Sequence, residues 1–298
     1  MRSIAIIGLG KMGRSHLSSF LNSKKLFNLF LFDNNSKILR KLQKTFRKNN
    51  KISICKSYPK GVDFDLVVVA TKSEERLNVI KKLLKRNRIK YFLLEKFLFN
   101  KLDEYQKFEK IHKNSLNKTF VNVWSKKFLE LINLKKNNKI FSITVGLPEF
   151  KLLTNLIHFY EVFNILSKKK IKVNFNSFKL KKLKNNYYDG RGEIILEDNN
   201  GSKMKIYSRS KNNNFYFNYH SLRLNKNVKV SGGKIIVKDN LKKKIFDFPL
   251  ASKETCKFYE KIISKKKTYV PKYLKISKSS KEIIKLINSE YKKKIKIY

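Results

Sequence analysis

Ser3-Ile4-Ala5-Ile6-Ile7 runs directly into Gly8-Leu9-Gly10-Lys11-Met12-Gly13, and Asp33 follows twenty residues after the last of the three glycines. A short apolar run rich in Ile is the mark of a buried parallel strand. Glycines at these spacings allow a tight turn, let backbone approach a pyrophosphate, and let a helix pack closely on its strand. The helix that begins near Lys11 offers unpaired N–H groups and the positive end of its dipole to a phosphate. The next strand, Asn28-Leu29-Phe30-Leu31-Phe32, ends on Asp33, where a carboxylate accepts hydrogen bonds from the hydroxyls of an adenosine ribose. Strand, turn, helix and acid in this order predict a dinucleotide site built by Gly8, Leu9, Gly10, Lys11, Met12, Gly13 and Asp33. The acid favours NAD. Asn34 and Asn35 bring no Arg to meet a 2′-phosphate, while Lys37 leaves NADP open.

The 298 residues are enough for two domains, each with its own core, and 41% hydrophobic residues suit a globular chain. The opening segment reads as a strand rather than a signal peptide, and no apolar run approaches the roughly 20 residues of a membrane helix. A cytoplasmic protein without a membrane partner is expected. Cys55 and Cys256 cannot make a disulfide framework, and neither has a second Cys or a His at metal-ligand spacing, so no metal is expected.

A net charge of +48 suggests nucleic acid as a partner. Two counts oppose it. Residues 1–118 carry 28 basic and 9 acidic side chains (net +19) and residues 119–298 carry 42 and 13 (net +29), so the charge is spread rather than concentrated. Of the basic residues 60 are Lys and 10 are Arg, and Arg is the residue whose planar fork reads base edges and phosphates. Lys, Asn, Ile, Phe and Tyr are all abundant, and all have A- and T-rich codons. Compositional drift accounts for the charge better than a dedicated polyanion site, although the charge also helps to attract an anionic substrate such as a nucleotide sugar.

Strands and helices alternate through residues 1–118. Helices are expected from Lys11 to Asn22, Ser36 to Lys48, Glu74 to Arg86 and Leu102 to His112. Strands fall at Ile52 to Cys55, Leu66 to Ala70 and Tyr91 to Leu94 besides the two already named. Such alternation gives a doubly wound parallel sheet with ligands at the C-terminal strand ends, beside Gly8, Asp33, Thr71 and Glu95. From Phe120 the pattern changes to strand-like runs at Phe120 to Trp124, Ile140 to Val145, Ile171 to Phe178, Glu193 to Leu196, Met204 to Ser208, Phe215 to Tyr219, Val228 to Val230 and Ile235 to Val237. Helices are expected at Leu152 to Leu166, Ser252 to Ser264 and Ser279 to Lys292. Turns such as Asp198-Asn199-Asn200-Gly201 separate the strands as in hairpins. The expected fold is therefore α/β: a parallel sheet over 1–118, then an α+β domain with a mostly antiparallel open sheet over 119–298, whose C-terminal helix can pack back on the first domain.

Gly8 to Gly13 with Arg14-Ser15-His16, Asp33, Val68-Val69-Ala70-Thr71, Leu94-Glu95-Lys96 and the later His158 together resemble the Gfo/Idh/MocA oxidoreductases, the family of glucose-fructose oxidoreductase and inositol dehydrogenase. The resemblance implies a Rossmann cofactor domain and Thr71, Glu95 and Lys96 as further cofactor-site residues. It also implies a sugar, cyclitol or sugar-nucleotide substrate, and a homodimer or homotetramer formed through the open sheet. Where the family reads Glu-Lys-Pro, this chain reads Glu95-Lys96-Phe97. Where it often reads Ala-Thr-Pro followed by a His, the equivalents are Ala70-Thr71-Lys72 and Arg76. The helix Asn155-Leu156-Ile157-His158-Phe159-Tyr160-Glu161 resembles the family's His-x-x-Asp helix with Glu for Asp, and Thr154 stands where the family tends to carry an Asp.

Hydride transfer from a carbinol needs a base for the hydroxyl proton and a donor or cation for the developing alkoxide. Lys96, at a strand end beside the nicotinamide position, suits either role; His158 is its acid–base partner, and Glu161, one turn on, orients the imidazole. Lys126 and Lys127 are candidates for a substrate phosphate. His16 is read as a packing residue, and His112 and His220 as surface or sheet positions. Phe97 removes a fixed φ and disfavours a cis peptide, and Thr154 removes a carboxylate from the proton relay. These departures favour a second reading, an NAD(P)-binding sensor or scaffold that does not catalyse; a basic nucleic-acid-binding protein is a third, carried by charge alone.

Overall fold

In a computed structural model, residues 1–135, 140–149, 151–183, 186–208, 215–222, 224–239, 242–249, 251–292 and 294–297 are described. The chain forms two compact units, Met1–Val123 with Leu250–Lys281, and Trp124–Pro249 with Glu282–Tyr298. The first unit thus ends five residues beyond the boundary read from the sequence and takes back a later segment.

The first unit opens β1 (Arg2–Ile7), α1 (Lys11–Leu21), β2 (Phe27–Phe32), α2 (Ser36–Thr45) and β3 (Ile52–Cys55). It continues β4 (Asp63–Val69), α3 (Ser73–Leu84), β5 (Arg88–Leu94), α4 (Leu102–Ile111) and β6 (Thr119–Val121). All six strands are parallel, in the order β3-β2-β1-β4-β5-β6. The chain winds outward from β1 in one direction and from β4 in the other, so the strand order reverses between β1 and β4, where such sheets bind ligands at the C-terminal edge. Ile4, Ile6, Leu29, Leu31, Leu66 and Val68 are buried in its core together with Leu17 and Phe20 of α1.

Thr119–Val121 was expected to open the second domain. Instead Phe92, Leu93 and Leu94 pair with it in the first sheet, and the Pro271 carbonyl accepts the Val121 N–H at 2.9 Å on its outer side. A three-residue strand is too short to show which sheet it joins; long-range pairing decides.

The second unit contains α5 (Ser125–Leu131), β7 (Phe141–Leu147), α6 (Leu152–Ser167), β8 (Ile171–Asn174), β9 (Lys179–Lys182) and β10 (Tyr188–Arg191). There follow β11 (Glu193–Asp198), β12 (Lys203–Ser208), β13 (Phe215–Ser221), β14 (Leu224–Ser231), β15 (Lys234–Asp239) and β16 (Lys242–Asp247). Eight strands run in the order β16-β15-β14-β13-β7-β12-β11-β8, and β9 and β10 form a separate ribbon. Among the described residues only the β7–β12 pair of the large sheet is parallel. Along β14, Lys226, Val228 and Val230 are buried while Asn225, Asn227 and Lys229 are exposed, so one face is covered and the other is open.

Several readings differ locally, and the β9–β10 ribbon was not foreseen. The strand expected over Ile171–Phe178 stops at Asn174. The helix α5 was not foreseen, and neither was β16, whose Lys-Lys-Lys-Ile-Phe-Asp sequence hides its alternation. The last helices are α7 (Thr255–Ile263), preceded by a 3-10 turn at Ala251–Glu254, and α8 (Tyr273–Glu290), which begins six residues before the expected Ser279. Among the described residues no helix is long and apolar enough to cross a membrane.

Candidate cofactor and active site

The three glycines of the first turn do different work. Gly8 adopts φ +89°, and a Cβ there would meet the Ala70 carbonyl carbon and the Thr71 nitrogen at 2.9 Å, so the loops after β1 and β4 touch at the switch point. A Cβ on Gly13 would lie 1.8 Å from the Gly8 carbonyl oxygen, which makes glycine a condition of packing α1 against the turn. Gly10, at the N-cap of α1, is exposed, and its Cβ would meet nothing within 4 Å. That open space, next to helix N–H groups without a side-chain cap, is the cradle a pyrophosphate fits. Leu9 is fully buried, so what it offers a cofactor is backbone; Lys11 is exposed and Met12 half-buried.

The Asp33 carboxylate accepts the Leu9 N–H at 2.6 Å and the Asn35 N–H at 2.7 Å. It ties the glycine turn to the C-terminal end of β2. Thr71 follows β4, and its buried hydroxyl has no hydrogen-bond partner among the described residues, an orphan that a bound polar group satisfies. These residues fit a nicotinamide dinucleotide.

Glu95, directly after β5, is 6% exposed. Its Oε1 accepts from His16 Nε2 at 2.8 Å and from the Asn122 amide. On the other side of the ring, His16 Nδ1 lies 2.6 Å from Thr255 Oγ1, whose proton goes to the Ser252 carbonyl at 3.0 Å. The two ring nitrogens of His16 thus bridge Thr255 and Glu95. Burial alone pushes the Glu95 carboxyl up, but the His16 hydrogen bond and charge, the Asn122 amide and the Arg76 cation outweigh it and hold it below the ordinary 4.5. His16 is therefore more than a packing residue: it joins α1 to the end of β5 and to the returning segment.

Lys96 is half-buried between buried Glu95 and buried Phe97, Leu98 and Phe99. The Lys96–Phe97 peptide is cis, contrary to what the loss of Pro led us to expect. The loop's shape comes from three apolar side chains sunk into the core and from the Arg76 guanidinium, which donates to its carbonyls.

In the second unit His158 and Glu161 sit three residues apart on α6, both buried. The His158 ring stacks on Trp124 at 4.5 Å and 22°, and its carbonyl accepts from Ser125 Oγ at 2.6 Å. Tyr160 donates to Glu282 at 2.8 Å, and burial together with that carboxylate pushes its phenol well above the usual range. Lys126 and Lys127 are half-buried in the first turn of α5.

The N-terminus of α6 has no cap of its own. Asp189, fully buried on β10, supplies one: Oδ1 accepts the Leu153 N–H at 3.0 Å, and Oδ2 accepts the Thr154 hydroxyl at 2.9 Å and its N–H at 3.3 Å. A carboxylate thus stands against position 154 after all, borrowed from another element. Asp189→Ala is expected to lower the stability of this unit by about 2 kcal/mol, followed in urea by fluorescence of Trp124, the single tryptophan. An unchanged midpoint means that the cap contributes nothing.

Residues 2–123 match the family model described as "Oxidoreductase family, NAD-binding Rossmann fold", that of Gfo/Idh/MocA. Through this domain the chain is similar to the Gfo/Idh/MocA oxidoreductases. Three solved structures share the fold of nearly the whole chain. A Gfo/Idh/MocA family oxidoreductase from Vibrio cholerae has 13% identity and a TM-score of 0.64, covering 98% of this chain and 100% of that one. A biliverdin reductase from Synechocystis sp. PCC 6803, in complex with biliverdin and NADP+, has 14% identity and a TM-score of 0.67, with 96% and 98% covered. A UDP-N-acetylglucosamine 3-dehydrogenase from Acidithiobacillus ferrooxidans has 11% identity and a TM-score of 0.60, with 90% and 91% covered. No curated protein matches the chain.

The candidate cofactor residues Gly8 to Gly13, Asp33, Thr71, Glu95 and Lys96 all follow the C-terminal ends of strands in the first sheet. His158 and Glu161 belong to the second unit. Sequence reading missed His16 and Asn122 as partners of Glu95, and Thr255 as the partner of His16. The one signal available was a histidine among Gly13, Leu17 and Phe20 on the buried face of α1. It also read His112 as a surface or sheet position. His112 is buried, with Nε2 3.1 Å from Thr119 Oγ1, and burial pushes its pKa down; His220 is exposed. Burial pushes the thiols of Cys55 and Cys256 up, which suits unreactive residues.

Proposed function

We propose that this chain transfers a hydride between a nicotinamide cofactor and a hydroxyl or keto carbon of a sugar, cyclitol or sugar nucleotide. The observation that carries the reading is the pairing, at one sheet edge, of a glycine turn open at Gly10 with a half-buried lysine, Lys96, at the end of β5. NAD(P), when bound, supplies or accepts the hydride at nicotinamide C4. Lys96 takes the hydroxyl proton and holds the alkoxide as its charge develops. His158 is the partner that exchanges this proton or binds the substrate hydroxyl, and Glu161 on the next turn orients it. The position of Asp33 favours NAD over NADP, because a carboxylate there repels a 2′-phosphate. The sugar-nucleotide class draws support from a structural neighbour that is a UDP-N-acetylglucosamine 3-dehydrogenase. We further propose a cytoplasmic homodimer or homotetramer formed through the open face of the second sheet.

Cofactor turnover on a panel of sugars, cyclitols and sugar nucleotides tests the reaction. Lys96→Ala is expected to reduce kcat by roughly a hundredfold. Turnover unchanged in that variant overturns the assignment of Lys96. Phe97 and Thr154, the two departures from the family pattern, favour one rival reading, a protein that binds NAD(P) without catalysis. Tight NADH binding with no turnover of any panel member by the wild type selects it.

A further inference from the structure

Phe97 lacks the fixed φ of a proline, so the loop that carries Lys96 must be held by something else. Arg76 lies on α3, on the same buried face as Leu77, Ile80 and Leu83, and is 2% exposed. A guanidinium in such a place is expensive to desolvate and is found there when hydrogen bonds compensate; here both amino groups make them. Nη1 donates to the Glu95 carbonyl at 2.6 Å, to the Leu98 carbonyl at 2.8 Å and to the Phe97 carbonyl. Nη2 donates to the Thr71 carbonyl at 2.6 Å. One rigid fork therefore grips the chain on both sides of Lys96 and fastens it to Thr71, two residues after β4, which itself abuts Gly8.

We infer that Arg76 is the positioning residue of the Lys96 loop, fixing the lysine relative to the cofactor turn by binding carbonyls rather than by touching substrate. This rests on the reading of Lys96 as the acid–base residue. Two further features agree with it. The Arg76 cation also acts on the Glu95 carboxyl, so loop geometry and the charge of the His16–Glu95 pair share one support. And only a planar fork serves carbonyls from two loops at once; an ammonium at the same site is a compact point donor on a flexible stem.

Arg76→Lys keeps the charge and removes the fork. In the full chain, deuterium exchange over residues 95–99 is expected to rise at least roughly tenfold, the equivalent of losing one charge-assisted hydrogen bond, while β1 and β4 stay protected. With a substrate that turns over, kcat falls by about the same factor and the KM for NAD stays within roughly threefold, the split expected of a displaced catalytic group. In Arg76→Ala, millimolar guanidinium restores part of the lost kcat. Unchanged exchange over 95–99 in Arg76→Lys overturns the proposal, and so does loss of protection in β1 and β4 alongside the loop, which makes Arg76 a core residue only. Should Arg76→Ala fail to fold, Arg76→Lys decides. If wild type and Lys96→Ala are equally inert on every substrate, the reading of Lys96 fails, and the exchange measurement still settles whether Arg76 holds the loop.

Discussion

Gly13→Ala is expected to weaken NADH binding by more than roughly a hundredfold, whereas Gly10→Ala is expected to leave the fold intact and weaken binding by about tenfold. The contrast follows from where each methyl goes. At position 13 it falls 1.8 Å from the Gly8 carbonyl oxygen, and backbone on both sides has to move, so the turn opens and α1 shifts away from β1. Gly8 cannot yield easily, because its own left-handed conformation and its contact with Ala70 and Thr71 pin it between two loops. At position 10 the methyl meets no protein atom within 4 Å, and the residue's φ of −63° is open to alanine. What the methyl there occupies is the space before the α1 N-terminus. NADH fluorescence titration reads affinity and far-UV circular dichroism reads the fold. Gly10→Ala binding NADH as tightly as wild type removes the pyrophosphate from that space and moves the cofactor elsewhere on the edge.

The cofactor half of the molecule was legible because its signals are local. A strand of four buried residues, a turn that tolerates only glycine at two of three positions, and an acid at the next strand end all lie within residues 3–33. The supports of the Lys96 loop were not legible, because each is a contact between distant residues. His16 and Glu95 are 79 positions apart and Thr255 lies beyond them both, and nothing in the local pattern distinguishes a histidine that pairs with a carboxylate from one that packs. Arg76 was noticed as a departure from a family pattern, yet in a chain with 70 basic residues an arginine on a helix reads as surface until its burial is known. The same excess of lysine hid β16. The parallel β7–β12 pair was hidden for another reason: the hairpin turn at 198–201 predicts β11 against β12, while the far side of β12 is chosen by a strand some sixty residues earlier.

The buried charge cluster leads to a stability experiment whose sign is set by Glu95. Glu95→Leu leaves the His16 ring and the Asn122 amide without their acceptor and Arg76 without its nearby carboxylate, and is expected to cost about 3–5 kcal/mol at pH 7. Glu95→Gln keeps an oxygen for both donors and removes only the charge, so its loss is smaller and depends on pH. The folded-state pKa of Glu95 lies below the unfolded value of 4.5, so the contribution of the charged form is complete above that value and disappears as pH falls through the depressed one. Wild type and Glu95→Gln are therefore expected to differ at pH 7 and to converge on acidification below about 4.5, the wild type having the steeper acid limb. Trp124 belongs to the second unit, so amide exchange in β5, rather than tryptophan fluorescence, is the measurement that follows the first. A constant gap between the two proteins from pH 7 down to pH 3 means that the carboxylate's charge does not stabilise the fold; the hydrogen bonds alone then join α1 to the Lys96 loop.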